Sequence, residues 1–176
     1  MEPLDESQVQ ARAVKIRLVV FDVDGVLTDG RLYLGESGEE YRVFHVRDGQ
    51  GLVMLRDSGV RIAVISGRSS RAVAERMVEL GIGYVFQGQA DKLGVFKALL
   101  NELGLEPTEV AYVGDDLPDL PVMRHVGLAI TVADAHPQVK QCAHWQTRLP
   151  GGQGAVREVC ELLMEAQGML VRPDVR

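Results

Sequence analysis

Residues 21–30 read FDVDGVLTDG, and the four before them read RLVV. A continuous, β-branched apolar run of this kind fits a strand buried on both faces of a parallel sheet. It ends in two acids, Asp22 and Asp24, with Asp29 just beyond. A buried strand carries no charge without a reason, so the pair calls for an explanation other than packing. Outward from this stretch the apolar pattern recurs in RIAVISG from Arg61, GYVFQG from Gly83, EVAYVGD from Glu109, GLAITV from Gly127 and, more weakly, AHWQT at 143–147. Helix-period segments separate these runs: GLVMLRDSG, SSRAVAERMVELG, DKLGVFKALLNELG, the short DLPVMRHVG and the long GAVREVCELLMEAQG. Strands alternating with helices give a mostly parallel sheet covered on both faces, and right-handed crossovers make it a doubly wound, Rossmann-like α/β fold.

One segment breaks the alternation. RLYLGESGEEYRVFHV, residues 31–46, holds two extended runs around GESGEE and is expected to be a β-hairpin projecting from the end of the first strand. One domain is expected over 1–176, with flexible ends at 1–14 and about 171–176. The net charge is −6, which disfavours nucleic acid as the main partner, because phosphate contacts need clustered Lys and Arg. No apolar run approaches the ~20 residues that span a bilayer, so no membrane partner is expected. The opening MEPLDESQVQARAVKIR places acids before any apolar stretch, unlike a signal peptide. Cys142 and Cys160 are the only cysteines; they read as buried structural thiols, and a reducing cytoplasm is the simplest location.

Ligands of an open parallel sheet bind outside the carboxyl ends of its strands. Here those ends carry Asp22 and Asp24, then Ser66, Gly67 and Arg68, then Lys92, then Asp115 and Asp116, with Asp119 beyond. Carboxylates held that close raise one another's pKa unless a cation intervenes. A hard divalent ion with oxygen ligands removes the conflict, and Mg²⁺ suits a few carboxylates, several waters and a phosphate. Lys92 and Arg68 point to an anionic substrate. His45, His125, His136 and His144 have no ligand spacing, and Trp145 and the methionines read as core.

These motifs resemble those of the haloacid dehalogenase superfamily of phosphotransferases: DVDGV after the first strand, SGR after the second, Lys92 after the third and GDDLPD after the fourth. A single DxD is weak evidence, whereas four motifs on successive strand ends are specific. LTDG, VRDGQG, QGQADK, VGDDLPDLPVM, VADAHP and GAVREVCELLMEAQG further resemble the 3-deoxy-D-manno-octulosonate 8-phosphate (KDO-8-phosphate) phosphatases, over roughly residues 17–170. The resemblance implies Asp22 as the nucleophile that forms an aspartyl-phosphate, and Asp24 as the general acid and base. It implies Mg²⁺ on Asp22, the Asp24 backbone carbonyl and Asp115. Ser66 and Lys92 would stabilise the transferring phosphoryl group, and Asp116 and Asp119 would orient or support the ligands. Arg68, with Gly67, Arg47 and Asp48 nearby, would face the substrate, the guanidinium taking the sugar acid's carboxylate.

The resemblance also implies an enzyme without a cap domain. Only the hairpin and one helix separate the first two strands, and only one helix follows Lys92. Such a site would be closed by assembly: a homotetramer in which hairpins meet through Leu32, Leu34, Val43 and Phe44, and in which a neighbour's C-terminal segment covers the site. Relatives often read GGRGAVRE where this chain reads GGQGAVRE with Gln153, and often carry a large aromatic at Leu120. The implied activity is Mg²⁺-dependent hydrolysis of KDO-8-phosphate in a lipopolysaccharide pathway. Alternatives are a phosphatase of sialic-type nine-carbon sugar acids, or a non-catalytic binding subunit of the same fold.

Overall fold

The computed structural model describes residues 4–170. Its main sheet contains β1 (Leu18–Phe21), β4 (Arg61–Ile65), β5 (Tyr84–Phe86), β6 (Val110–Gly114), β7 (Leu128–Thr131) and β8 (Trp145–Gln146). Their spatial order is β5-β4-β1-β6-β7-β8, and every neighbouring pair is parallel. The apolar run before Asp22 is the centre of this sheet, and Leu18, Val19, Val20 and Phe21 have no exposed surface. From β1 the chain steps outward to β4 and β5, then returns to the other side for β6, β7 and β8. The carboxyl ends of β1, β4 and β6 therefore meet where the order reverses, the place such sheets hold ligands.

Helices cover both faces. On one lie α2 (Val46–Asp57), α3 (Arg71–Glu79) and α7 (Ala155–Ala166), with α2 and α7 packed most extensively. On the other lie α4 (Lys92–Leu103), α5 (Leu120–Met123) and α6 (Pro137–Cys142). The strongly amphipathic α7 turns Val156, Val159, Cys160, Leu163 and Met164 into the core. No helix among the described residues is long and apolar enough to cross a membrane.

Residues before Lys15 were expected to be loose, and from Asp5 onward they are not. They form α1 (Glu6–Ala13), opened by a capping box between Asp5 and Gln8. It buries Val9 and Ala13, and Arg12 donates to the Gly127 carbonyl at 2.6 Å. The expectation for residues after Leu170 lies outside the described residues. Helix α6 was also unforeseen. The hairpin is present, but its ladder is short: β2 (Tyr33–Leu34) pairs antiparallel with β3 (Glu40–Tyr41), and Val46 already begins α2. Leu32, Leu34, Tyr41 and Val43 are exposed on it, whereas Phe44 packs against the core rather than joining that surface. Of the cysteines, Cys160 is buried and burial pushes its thiol far up, while Cys142 is only partly covered. Trp145 is likewise only partly buried.

Candidate active site

The backbone first fixes the acids. The Asp22 N–H donates to the Val113 carbonyl at 2.9 Å, extending the β1–β6 ladder by one rung. Residues 23–27 then wrap one wide turn, closed by the Thr28 N–H on the Val23 carbonyl at 3.0 Å. The turn needs Gly25 twice over: its φ is +89°, and a Cβ there would collide with the Asp115 carboxylate. Gly151 and Gly152 press on the outside of the turn, the Gly152 N–H donating to the Val26 carbonyl at 2.9 Å. A Cβ on Gly151 would strike the Gly25 carbonyl.

Asp22, Lys92, Tyr112, Asp115 and Asp119 form the buried half of the site. Lys92 opens α4, where a cation is slightly unfavourable. Its ammonium instead reaches Asp22 Oδ1 and Asp119 Oδ1, both at 2.8 Å. Asp119 is saturated. Its Oδ1 also accepts from the Tyr112 hydroxyl at 2.7 Å, and its Oδ2 accepts from the backbone N–H of Asp115 at 3.0 Å and Asp116 at 3.2 Å. Burial works against the Lys92 charge, but Asp22 and Asp119 outweigh it and raise its pKa. Burial, then Asp119, raise the Asp22 carboxyl against the pull of Lys92. The Asp115 carboxyl is pushed up to about 8 by burial and by Asp22, Asp119 and Asp116. Ser66 is fully buried at the end of β4, its hydroxyl accepting the Arg68 N–H at 3.3 Å; Gly67 beside it is exposed.

This half fits a hard cation. Carboxylate oxygens of Asp22, Asp115 and Asp119 lie within 4.8 Å of one another. Asp115 Oδ1 is buried with no hydrogen-bond partner, an arrangement that an oxygen-seeking ion would satisfy.

Asp24 belongs to a second, outer half. Its carboxylate pairs with Arg42, which leaves β3 and has a side chain only 1% exposed. Arg42 Nε also donates to Glu40 Oε1 at 2.7 Å, and Glu40 Oε2 takes Arg68 Nη2 at 2.9 Å. The two guanidinium groups hold the Glu40 carboxyl below its ordinary range. A buried carboxylate beside a lysine, an acid two residues on, and an exposed arginine at the rim together suit transfer of a phosphoryl group from an anionic substrate.

The sequence pattern of the haloacid dehalogenase-like hydrolases matches residues 81–157. The chain is 51% identical over 164 residues, 93% of its length and 87% of the relative's, to 3-deoxy-D-manno-octulosonate 8-phosphate phosphatase of Escherichia coli K12. It belongs to the KDO-8-phosphate phosphatase family. The solved Yersinia pestis enzyme superposes with a TM-score of 0.91 at 50% identity, covering 93% of this chain and 88% of that one. The Moraxella catarrhalis enzyme, solved with magnesium, phosphate and KDO, gives 0.91 at 43% identity, covering 93% and 94%.

The Asp48 carboxylate, expected to face the substrate, is engaged elsewhere. It is 2% exposed and lies under the start of α7, where its oxygens accept the Gly154 N–H at 3.1 Å and the Arg157 N–H at 2.8 Å. Helix α7 has no side-chain cap of its own, so Asp48 caps it from α2. Both of its carboxylate oxygens are taken up there. Asp116 also turns away from the cluster, its Oδ1 accepting the neighbouring Leu117 N–H. Gln153 is exposed, next to the two glycines that brace the turn, and Leu120 packs against the core. Sequence reasoning missed Arg42, Glu40 and Tyr112. For the first two a signal existed: Glu40 and Arg42 alternate in an extended run, which sets both charges on one face. Tyr112 lies inside an apolar strand, and nothing local marks it.

Proposed function

We propose that this chain hydrolyses KDO-8-phosphate to KDO and inorganic phosphate through an aspartyl-phosphate, supplying KDO for lipopolysaccharide. The observation that carries the reading is the buried meeting of Asp22, Lys92, Asp115 and Asp119, with Asp24 beside it in the same turn. An Asp22 oxygen attacks phosphorus, and the bond from phosphorus to the sugar oxygen breaks. Asp24 gives its proton to that oxygen as it leaves. In the second half Asp24 takes a proton from water, the new oxygen bonds phosphorus, and phosphate departs, regenerating Asp22. Lys92 and the Ser66 hydroxyl stabilise charge on the phosphoryl oxygens throughout. Mg²⁺, held by Asp22, Asp115 and the Asp24 carbonyl, would offset the repulsion between anionic nucleophile and anionic phosphate. Asp22 and Asp119 keep Lys92 protonated, and Tyr112 holds the Asp119 carboxylate in place by donating to its Oδ1.

Arg68 is the residue for the sugar acid's carboxylate. It is 52% exposed and already holds a carboxylate, Glu40, which the substrate would replace or share. The exposed apolar residues of the hairpin support a homotetramer in which a neighbour's C-terminal segment closes the site, and a monomer by light scattering at micromolar protein would refute it. Two cysteines without a disulfide support a cytoplasmic location.

Phosphate release from a panel of sugar phosphates, with Mg²⁺ or EDTA, on wild type and Asp22→Asn tests the reading. Mg²⁺-dependent release from KDO-8-phosphate that the variant loses supports it. Release only from nine-carbon sugar acids keeps the mechanism and moves the substrate. Silence towards every phosphate favours a binding subunit.

A further inference from the structure

Arg42 is contributed by the hairpin, not by the sheet, yet its side chain is almost wholly buried against Asp24. Its Nε is fixed on Glu40, its Nη1 on Asp24 Oδ1, and its Nη2 has no partner. A guanidinium buried for packing alone is normally satisfied on every side. One held at two corners and open at the third is built to orient what it touches. Glu40 completes the arrangement, since its other oxygen binds Arg68 and so ties the same strand to the rim.

We infer that Arg42 is a positioning residue for Asp24: it fixes Oδ1, so that the proton moved in the reaction is carried on Oδ2. The inference rests on the reading of Asp24 as the acid and base. In the first half-reaction the Oδ2–H bond breaks as the phosphorus–oxygen bond breaks, and the proton ends on the sugar hydroxyl. A carboxylate free to swing would offer that proton in the wrong direction most of the time. The hairpin thereby acts in catalysis as well as in any assembly it makes.

The leaving group separates this role from a structural one. A sugar alkoxide needs a proton to depart, whereas p-nitrophenolate does not. The full chain with Mg²⁺ is assayed for kcat and KM on KDO-8-phosphate and on p-nitrophenyl phosphate, as wild type, Asp24→Asn, Arg42→Met and Arg42→Lys. Arg42→Met is expected to lower kcat on the sugar phosphate roughly 30-fold and on the aryl phosphate less than about 3-fold, with KM on each moving less than about 3-fold. Arg42→Lys, which keeps the charge, is expected to fall between wild type and Arg42→Met. If Asp24→Asn discriminates between the two substrates and neither folded Arg42 variant does, the positioning role is overturned and the role of Asp24 stands. Equal losses on both substrates, or a loss confined to KM, likewise overturn it. If Asp24→Asn itself fails to discriminate, the acid–base reading falls and the positioning role falls with it. Should Arg42→Met not fold, the Arg42→Lys ratio decides.

Discussion

Asp48 and Asp115 both hide carboxylate oxygens from water, and they do opposite things. Asp48 has a donor on each oxygen, the backbone N–H groups of Gly154 and Arg157. Burial raises its carboxyl, but those donors, His45 and Arg47 pull it back. Asp115 has an oxygen with no donor at all, and after burial its neighbours Asp22, Asp119 and Asp116 push the same way. Burial does not tell a structural acid from a functional one; the supply of donors does. A saturated carboxylate is finished when the chain folds, and a starved one still has a ligand to take.

The contrast breaks most visibly at Asp22. Asp22→Asn should reduce kcat at least ~1000-fold, because the oxygen proposed to attack phosphorus is gone. It should leave the melting temperature unchanged or raise it, since Lys92 keeps Asp119 and one repelling charge disappears. A variant that is as inactive but clearly less stable would mean that Asp22 is held as Asp48 is.

Next comes the starved oxygen itself. Mg²⁺ at 100 times its Kd should stabilise the wild type by about 2.7 kcal/mol, from mass action on the folded state. Asp115→Asn should lose most of that gain in a thermal melt with and without Mg²⁺. Equal Mg²⁺ stabilisation in both proteins would place the ion elsewhere. Asp48 should behave in the converse manner. Asp48→Ala strips the start of α7 of its acceptor and should lower unfolding stability by about 2 kcal/mol, while kcat per folded molecule stays within about threefold. Urea unfolding alongside turnover separates the two effects, and a large loss of kcat without loss of stability would return Asp48 to the active site.

The same distinction explains what the sequence revealed. The sheet was legible because its strands are continuous apolar runs, and the rim because the polar residues fall where those runs stop. The partners of Asp48 were not legible: they lie more than a hundred positions along the chain, and only the packing of α2 on α7 supplies them. VRDGQG was set at the substrate by its resemblance to the family, which says nothing of which backbone its acid caps. Helix α1 was hidden by low apolar content, although Asp5 and Gln8 carry the spacing of a capping box. Phe44 was read with the exposed hairpin residues, but its neighbour in the chain is α2, which draws it inward.

His144 gives the smallest test, of the saturated kind. It is 4% exposed, its Nδ1 accepts the Ala129 N–H at 2.9 Å, and its Nε2 lies 3.3 Å from Arg12 Nη1. A second proton would set donor against donor and cation beside cation. Burial, then Arg12, lower its pKa from 6.5 to about 4. Below pH 6.5 the unfolded chain therefore binds a proton that the folded one refuses. The stability tied to this residue is complete above that pH and is lost as pH falls towards 4, by about 1 kcal/mol at pH 5.5. His144→Asn keeps an acceptor near Nδ1 and removes the titration. Between pH 7.5 and 5.5 the wild type should lose about 1 kcal/mol more than this variant in urea unfolding. Identical losses would mean that His144 takes up its proton without disturbing the fold, and that the donor on Ala129 finds another acceptor.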